Sequence, residues 1–316
     1  MKAHFNLCLC IWLVVVVATA NAQDYPAKSI RIVTAPIGGG NDFPARLIAL
    51  ALAGPLGQQI VVDNRPTVLI ANVVAKSPPD GYTLLLNGSA HWLGPLFEKV
   101  NYDPVKDFAA ITLVDRSPNV LVVHPSLPAK SVRELIALAK ARPGELNVGV
   151  GGTGSSNFMA AVLFGQLAGV NITRIPYKGN APAITALLSG EIQVMFSSSG
   201  AVAPHRQSGR LRALAIGGVQ ASPLAPGLPT IAAAGVPGYV SETLHAMFAP
   251  AKTAPAIVNR WNVEVARYLR SPQARDIFLK SGIEPSPSSS EALVEIMNAE
   301  VVRMSKVLKG AGVGIK

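Results

Sequence analysis

Two glycine-bearing turns contain the residues whose types and spacing point most directly to chemistry. The first is Pro36–Asn41 and the second is Gly151–Gly154, and each lies between a short apolar run and a segment of helical periodicity. The first turn of a helix leaves backbone N–H groups unpaired and carries partial positive charge, and glycine lets a ligand approach the backbone. Both turns therefore favour an anion. The alternative, that each is only a tight connection, stays open for either turn taken alone.

The second turn also invites comparison with cofactor-binding enzymes. Gly149–Gly154 matches G-x-G-x-x-G, but a dinucleotide site also needs Asp or Glu at the end of the following strand to hold the ribose hydroxyl. That strand runs into Ile175–Lys178, which contains no acid, and no Lys-Ser/Thr follows Gly154 as a P-loop requires. A dinucleotide-dependent enzyme that uses this turn remains the competing hypothesis.

Other catalytic arrangements find little support in the chain. Ser197–Gly200 follows a predicted strand, yet the sequence contains no G-x-S-x-G nucleophile elbow. None of the histidines beyond the leader has the spacing of a zinc site or forms a recognisable order with an acid, and we expect each to be a surface or satisfied loop residue: His91, His124, His205 and His245. We assign no catalytic residue, no metal site and no cofactor.

Repeating α/β units must position the two turns. A short β-rich run, a polar turn and a longer amphipathic segment recur along the chain, which is typical of parallel sheets with helices. The predicted strands are 30–34, 60–62, 82–86, 121–123, 146–150, 172–175, 192–196 and 211–216.

Helix boundaries are indicated by capping residues. The predicted helices are 42–53 ended by Gly54, 68–75, 131–141 opened by a Ser131/Glu134 capping box, 155–168 closed by Gly169, and 181–188 closed by Gly190. The C-terminal part is mostly helical, and two apolar stripes at helical spacing predict core contacts: Ile257, Trp261 and Val265, then Val294, Met297 and Val301.

The first 22 residues predict export. Lys2 precedes an apolar run at 7–17, and Ala20–Ala22 gives the small-x-small pattern of a signal peptidase site, so we predict cleavage after Ala22. A membrane anchor is the alternative, but a span needs about 20 apolar residues and this run is shorter. Both cysteines, Cys8 and Cys10, lie in the leader, so the mature chain has no thiol for a disulfide, a zinc site or a nucleophile.

The charge balance is basic, with 28 Lys and Arg against 18 Asp and Glu. The basic residues are scattered singly with few aromatic residues between them, which argues against nucleic-acid binding. A mild positive field that favours anionic solutes fits this distribution better.

A series of motifs resembles the substrate-binding receptors of tripartite tricarboxylate transporters, the Bug or TctC type. The matches run in order over essentially the whole mature chain, and the ordered set is far more specific than any one motif. They are Tyr25–Arg31, Pro36–Asp42, Asp63–Pro66, Pro79–Leu85, Tyr102–Phe108, Val122–Pro128, Pro176–Gly179, Gly209–Ala215, Pro229–Thr230 and Phe248–Pro250.

The resemblance implies an α/β protein with the type II periplasmic-binding-protein fold, in which two α/β lobes enclose a ligand cleft. After the signal peptide (1–22), lobe 1 would comprise 23–122 plus 246–316 and lobe 2 would comprise 123–245, with crossings near Val122 and His245 and the C-terminal helices returned to lobe 1. It implies a non-enzymatic periplasmic receptor that captures a small carboxylate (a di- or tricarboxylate, an amino acid or an aromatic acid) for a membrane permease. We expect a monomer; a receptor that senses without transport is the other alternative.

The resemblance also implies a site made of main-chain N–H groups and ordered water from the two turns. The residues carried over are Pro36, Ile37, Gly38, Gly39, Asn41 and Asp42 from the first turn, Gly151, Gly152, Gly154, Ser155 and Ser156 from the second, and Tyr177 and Ser197 at its rim. Asp42 is expected to brace its helix rather than contact an anion, because like charges repel.

Several departures from the family pattern bear on the ligand. Arg65-Pro66 runs into Thr67–Ile70 where the family has a longer Gly-Ala-Gly-Gly stretch, which should place apolar side chains near the cleft. The family's Ser-Ser before the second turn is Val150-Gly151, its following His is Phe158, and its frequent Asp is Ser197. A polar ligand group left unpaired on burial costs about 1–3 kcal/mol. We therefore predict a ligand with one carboxylate and an apolar or aromatic body.

Overall fold

The computed structural model describes residues 25–37, 40–151 and 155–310. The predicted leader with its cleavage after Ala22 lies outside these ranges, as do four of the predicted site residues: Gly38, Gly39, Gly152 and Gly154. Within the described ranges, none of the helices combines the length and the apolar character that a bilayer crossing demands.

Ten strands occur in the described residues, and most lie where the sequence predicts them. They are β1 Ile30–Thr34, β2 Ile60–Asn64, β3 Thr83–Gly88, β4 Phe108–Val123, β5 Asn147–Val150, β6 Thr173–Pro176, β7 Val194–Ser198, β8 Arg212–Ile216, β9 Glu242–Pro250 and β10 Glu284–Pro285.

The same ranges contain ten α-helices and a short 3-10 helix at Gly94–Leu96. The α-helices are α1 Asp42–Leu56, α2 Thr67–Ala75, α3 Ala90–Leu93, α4 Val132–Ala141, α5 Ser156–Ala168, α6 Asn180–Ser189, α7 Ser199–Gln207, α8 Pro255–Leu269, α9 Pro272–Lys280 and α10 Ser290–Gly310.

Two parallel units are joined by two long antiparallel strands. The strand order is β2-β1-β3-β9-β4-β7-β5-β6, with β8 and β10 paired to β4. Pairing is parallel among β2, β1 and β3 and among β7, β5 and β6. Strand β4 pairs with β9 over Phe108–Pro118 and with β7 over Asn119–Val123, so it passes from one half of the sheet to the other.

The hydrophobic core is continuous between the halves. One cluster of buried residues includes Val33 and Phe248 from the first half and Val148 and Phe196 from the second. Helix α10 extends this cluster, because it contacts α3 in the first half and α5 in the second. Helix α10 therefore contacts both halves.

Helix α1 is longer than the sequence predicts. Gly54 and Pro55 lie inside it, and it ends at Gly57, which takes the left-handed conformation at φ 66°. The N–H groups of Gly57 and Gln58 bond back to the carbonyls of Gly54 and Ala53. Such a Schellman-type end satisfies free carbonyl groups. The helix therefore ends at Gly57 and not at Gly54, where the sequence analysis placed its end.

The capping prediction for α4 is confirmed. Ser131 Oγ accepts from the Glu134 N–H at 3.2 Å, and the Glu134 carboxylate accepts from the Lys130 N–H at 2.7 Å. By contrast, the sequence analysis predicts only the last three residues of β4, and it does not predict β9, α7 or α9 as separate elements. In α10 the buried stripe contains Leu293, Met297 and Met304, whereas Val294 and Val301 are only partly buried.

A close backbone contact joins the halves at Gly200 and Gly282. Gly282 follows α9 at φ +78, and a Cβ on it would lie 2.4 Å from the Gly200 Cα at the start of α7. Ser117 Oγ also donates to the Gly282 carbonyl at 3.0 Å. This contact requires glycine for both its conformation and its space.

We expect Gly282→Ala to destabilise the protein more than Gly209→Ala does. Gly209 has a similar φ of +72 but has nothing within 4 Å of the added Cβ. The control should therefore show only the conformational cost of about 1–2 kcal/mol, while Gly282→Ala adds a steric clash. Urea unfolding measures the free energy of unfolding of both variants. Equal losses of this free energy would show that the contact between Gly200 and Gly282 tolerates a side chain.

Candidate ligand-binding cleft

Two adjoining cavities lie between the halves of the molecule. The first has a volume of about 560 Å³ and the second about 620 Å³, within the range of about 300–1,000 Å³ usual for small-molecule sites. Five residues line both: Gly40, Ser155, Ser156, Thr243 and His245. The start of the first turn's helix and the start of the second turn's helix therefore meet in one cleft.

The first turn faces this cleft through part of its length. Pro36, Ile37, Gly40 and Asn41 line the first cavity, and the Ile37 side chain is 76% exposed. The Asn41 side chain makes no capping bond to α1, since its amide donates to Asn87 Oδ1 at 2.9 Å. Helix α1 therefore begins at the edge of the first cavity, where a helix start favours an anion.

Asp42 has the bracing role expected of it. It lines neither cavity and is 4% exposed. Its carboxylate pairs with Arg46 Nε at 2.9 Å and accepts from Asn64 Nδ2 at 2.8 Å. The negative charge is therefore held between α1 and β2 and does not oppose an anion in the cleft.

The second turn is partly satisfied by its own side chains. Asn157 Oδ1 accepts from the N–H groups of Gly151 at 3.0 Å and Phe158 at 2.9 Å, and it also accepts from Ser155 Oγ. Ser155 is the N-cap of α5. Gly151, Ser155 and Ser156 still line the second cavity, so this turn presents hydroxyl groups as well as backbone to the cleft.

Neutral polar side chains bridge the walls of the second cavity. Ser156 Oγ accepts from Thr243 Oγ1 at 3.0 Å and from Asn119 Nδ2 at 2.9 Å, which connects α5 to β9 and β4. Ser197 Oγ accepts from Asn180 Nδ2 at 2.8 Å. Among the described residues that line this cavity, none is Asp, Glu, Lys or Arg.

His245 is the functional candidate that the sequence analysis missed. It is 4% exposed, so the expectation of a surface or satisfied loop histidine is wrong for it. It lies on β9 and its Nδ1 is 2.7 Å from Asp115 Oδ1 on β4. A usable signal was present in the sequence, because Asp115 and His245 each interrupt an apolar run, and buried ionisable residues are almost always paired.

His91 is also buried, for a different reason. It stacks on Tyr102 with ring centroids 5.2 Å apart and meets the Phe108 ring edge-on at 4.5 Å. Burial lowers its pKa to about 3, so it is a neutral core residue.

The first cavity contains the charged side chains of the cleft. Glu242 pairs with Arg116 at 3.5 Å, and Glu300 pairs with Arg303 at 3.4 Å. Glu300 also accepts from Trp92 Nε1 at 2.7 Å. Desolvation by burial raises the pKa of Glu242 and of Glu300, more than the neighbouring arginines lower it. This end of the cleft therefore contains two buried acids, each paired with an arginine.

Several residues expected at the cleft lie outside its two cavities. Tyr177 lines neither cavity, because its hydroxyl donates to Glu191 Oε1 at 2.8 Å on the edge of the second half. Leu69 and Ile70, after Pro66, do not line these two cavities either: Leu69 is 46% exposed and lines a third cavity that shares Asn87 and Ala90 with the first, and Ile70 is fully buried.

The geometry gives Gly149 a packing role. A Cβ on Gly149 would lie 2.4 Å from Ile192 Cδ1, so this glycine admits the core side chain next to it. Strand β6 ends at Pro176 without an acid. Within residues 25–37, 40–151 and 155–310, no group of three or more His, Cys, Asp or Glu side chains could hold a metal ion.

Solved structures with the same architecture include a TctC solute binding protein from Polaromonas, with a TM-score of 0.81 and 26% identity over 90% of this chain and 99% of that chain. R. palustris Rpa4515 with adipate matches with a TM-score of 0.78 and 37% identity, over 92% of this chain and 99% of that chain. MatC from Rhodopseudomonas palustris with bound malate matches with a TM-score of 0.73 and 29% identity, over 90% and 100%. The predicted type II periplasmic-binding-protein fold is confirmed: the molecule is a two-lobed solute-binding receptor.

The chain belongs to the tripartite tricarboxylate transporter receptor family. The family model matches residues 44–313. Protein BugT of Bordetella pertussis is 35% identical over 308 residues, which is 95% of this chain and 94% of that protein. The resemblance predicted from the ordered motifs is thus confirmed, and the family consists of periplasmic solute-binding receptors, a non-enzymatic class.

We expect the Glu300→Gln variant to lose less stability than the wild type as pH rises above 4.5. The pKa of Glu300 is raised above its ordinary value of 4.5, so the native state holds this proton more tightly than the unfolded chain. The resulting stabilisation is complete below pH 4.5 and is lost as pH rises through the raised pKa. Gln keeps an oxygen for Trp92 Nε1 but does not titrate.

Thermal unfolding of the wild type and of Glu300→Gln, measured from below pH 4.5 upward through the raised pKa of Glu300, gives the change in stability with pH. Glu295→Gln, on the exposed face of the same helix, is the matched control and should follow the wild-type profile. Parallel profiles for wild type and Glu300→Gln would show that Glu300 is not the group responsible.

Proposed function

We propose that this protein captures a small carboxylate between its two lobes and performs no chemical reaction on it. One observation carries the proposal: the two helix starts, one from each lobe, line the same cleft and share Gly40, Ser155 and Ser156 across it. Backbone N–H groups and neutral hydroxyl and amide groups at helix starts are suited to bind an anion. The ligand-bound relatives, with adipate and with malate, support a carboxylate as the ligand class.

The proposal extends to the chain's location and partner. The leader at residues 1–22 is proposed to direct export to the periplasm with cleavage after Ala22, and the mature receptor is proposed to deliver its ligand as a monomer to a tripartite tricarboxylate-type permease. The family assignment supports both. Closure would occur by hinge motion about the crossing strands.

Lobe boundaries are part of the same proposal. The predicted division into 23–122 plus 246–316 and 123–245 differs by a few residues from the positions where the strands change partner. Strand β4 leaves β9 after Pro118, and β9 begins at Glu242. We propose these positions as the hinge.

The charges of the cleft support a ligand with one carboxylate and an apolar body. The first cavity contains the apolar side chains of Ile37, Leu93, Met159 and Met304 beside the acids Glu242 and Glu300. Arg116 is already paired with Glu242 and Arg303 with Glu300, so neither arginine is free to pair with a second carboxylate. A second carboxylate would therefore lie near negative charge, whereas an apolar chain or ring would contact apolar side chains.

We expect carboxylates to raise the melting temperature, while NAD, NADP and ATP leave it unchanged. Stabilisation by a ligand grows with its concentration over its dissociation constant and reaches about 2.7 kcal/mol at 100 times that constant. Gly40→Leu should abolish the shift, because a Cβ at Gly40 already lies 3.4 Å from His245 Nε2 in the cleft.

Gly54→Leu is the matched control for Gly40→Leu. Gly54 lies on the exposed side of α1 and has nothing within 4 Å of an added Cβ, so this variant should keep the ligand-induced shift. Stabilisation by nucleotides but not by carboxylates would replace the receptor proposal with the cofactor hypothesis.

We also expect benzoate-type acids and long-chain monocarboxylates to bind more tightly than malate or citrate. Each additional carboxylate must be desolvated beside acids that cannot pair with it, at a cost of about 1–3 kcal/mol. Calorimetry with the purified protein measures the order of affinities. Tight binding of citrate or malate together with no binding of aromatic acids would contradict the predicted preference.

A further inference from the structure

Three neutral polar side chains meet where the two crossing strands pass between the lobes. Asn119 lies on β4 and Thr243 on β9, each one residue beyond the proposed hinge position, and Ser156 begins α5. Ser156 Oγ lies 2.9 Å from Asn119 Nδ2 and 3.0 Å from Thr243 Oγ1. Ser156 and Thr243 both line both cavities, so this pair of hydroxyl groups lies where the two cavities adjoin.

The orientation of the Asn119 amide is set by Ser241. Asn119 Nδ2 lies 2.8 Å from Ser241 Oγ and 3.4 Å from the Ser241 carbonyl oxygen, which can only accept a hydrogen bond. The amide nitrogen therefore faces this side, and its two hydrogens are donated to Ser241 and to Ser156. Ser156 Oγ is thus an acceptor toward Asn119.

The Ser156–Thr243 pair has one hydroxyl hydrogen to spare. Each hydroxyl group carries one hydrogen, and the single hydrogen bond between the two oxygens uses one of them. If Thr243 donates to Ser156, the Ser156 hydrogen is left over, and if Ser156 donates, the Thr243 hydrogen is left over. Among the described residues, neither hydroxyl makes a further hydrogen bond. A carboxylate, which can only accept, can pair with this hydrogen in either arrangement.

The neighbouring hydroxyl of Ser155 is committed to its own turn. Asn157 Oδ1 accepts from the backbone N–H groups of Gly151 and Phe158, so this atom is the amide oxygen and cannot donate. Ser155 Oγ must therefore donate to it, over 2.7 Å. The family resemblance marks Ser155 and Ser156 alike, but the spare hydrogen belongs to the pair that contains Ser156.

The surroundings of the pair favour an anionic acceptor. Ser156 is the first residue of α5, a helix of 13 residues whose start carries partial positive charge. The carboxylate of Glu242, beside Thr243 in the chain, is paired with Arg116 at 3.5 Å. A hydrogen bond to an ionised acceptor is also stronger than one between neutral groups. An anion is therefore the acceptor that gains most from this hydroxyl hydrogen.

We propose that the Ser156–Thr243 pair donates one hydrogen bond to the carboxylate of the captured solute, at the junction of the two cavities. This assignment rests on the proposed carboxylate-binding function and adds to it Thr243, a ligand-binding residue that lies outside the two turns. The bond connects the ligand to β9 and, through Asn119, to β4. The carboxylate is thus held by the crossing strands as well as by the helix starts of the lobes.

Calorimetry at neutral pH with benzoate and with adipate measures this hydrogen bond. We expect the double variant Ser156→Ala/Thr243→Val to raise the dissociation constant of the carboxylate that the wild type binds by about tenfold or more, because a hydrogen bond to a charged group is lost. Each single variant keeps one hydroxyl whose hydrogen is free. The two single losses of affinity should therefore sum to less than the loss in the double variant.

A rescue variant separates the donor from a packing role. Ser156→Ala/Thr243→Ser keeps a hydroxyl but loses a methyl group, whereas Ser156→Ala/Thr243→Val keeps the volume without the hydroxyl. A donor role predicts tighter binding by the first of these, and a packing role predicts tighter binding by the second. Thr185→Val is the matched control and should keep the wild-type constant, because the Thr185 hydroxyl donates to the Ala181 carbonyl and Thr185 lines neither cavity.

A crystal structure of the wild type with the bound carboxylate is a second test, which needs no variant to fold. We expect a carboxylate oxygen within about 3.0 Å of Ser156 Oγ or Thr243 Oγ1. If neither benzoate nor adipate binds the wild type, the proposed function fails and this assignment fails with it. If one binds with its carboxylate elsewhere, or binds equally well to the folded double variant, only the role of the hydroxyl pair is overturned.

Discussion

The antiparallel pairing of β4 with β9 is the constraint on which the cleft depends. These strands carry the chain between the lobes, and their register sets Asp115 opposite His245 and Pro118 opposite Glu242. Side chains alternate along a strand, so a shift of one residue would turn these groups away from the cleft. The helix starts of the two turns meet in one cleft because this pair of strands fixes the distance between them.

The charges around the cleft suit the anionic ligand proposed for it. The acids near it are paired with arginine, as in Asp42–Arg46 and Glu242–Arg116, and the second cavity is lined by hydroxyl and amide groups. Neutral donors can bind a carboxylate without a strong salt bridge, so the lobes can open again and release it.

The sequence was sufficient for local features and insufficient for those that depend on distant contacts. The turns, the Ser131 cap and the ends of α5 and α6 follow from residues within a few positions of one another, and the ordered motifs identify the family. The length of β4 could not be predicted, because Asp115–Asn119 is polar and its partners lie on β9 and β10. Tyr177 was misplaced for a similar reason, since its position depends on Glu191.

The Asp115–His245 pair shows why such sites are hard to find in a single sequence. The two residues are 130 positions apart, and each looks like an isolated polar interruption of an apolar strand. Buried ion pairs are rarely a source of stability, and apolar replacements of similar volume are often more stabilising by about 1–4 kcal/mol. Removal of only one partner would leave a buried polar group without its hydrogen bond. The pair fixes the imidazole of His245 at the meeting point of the two cavities, where apolar side chains at the same two positions would present no polar atom.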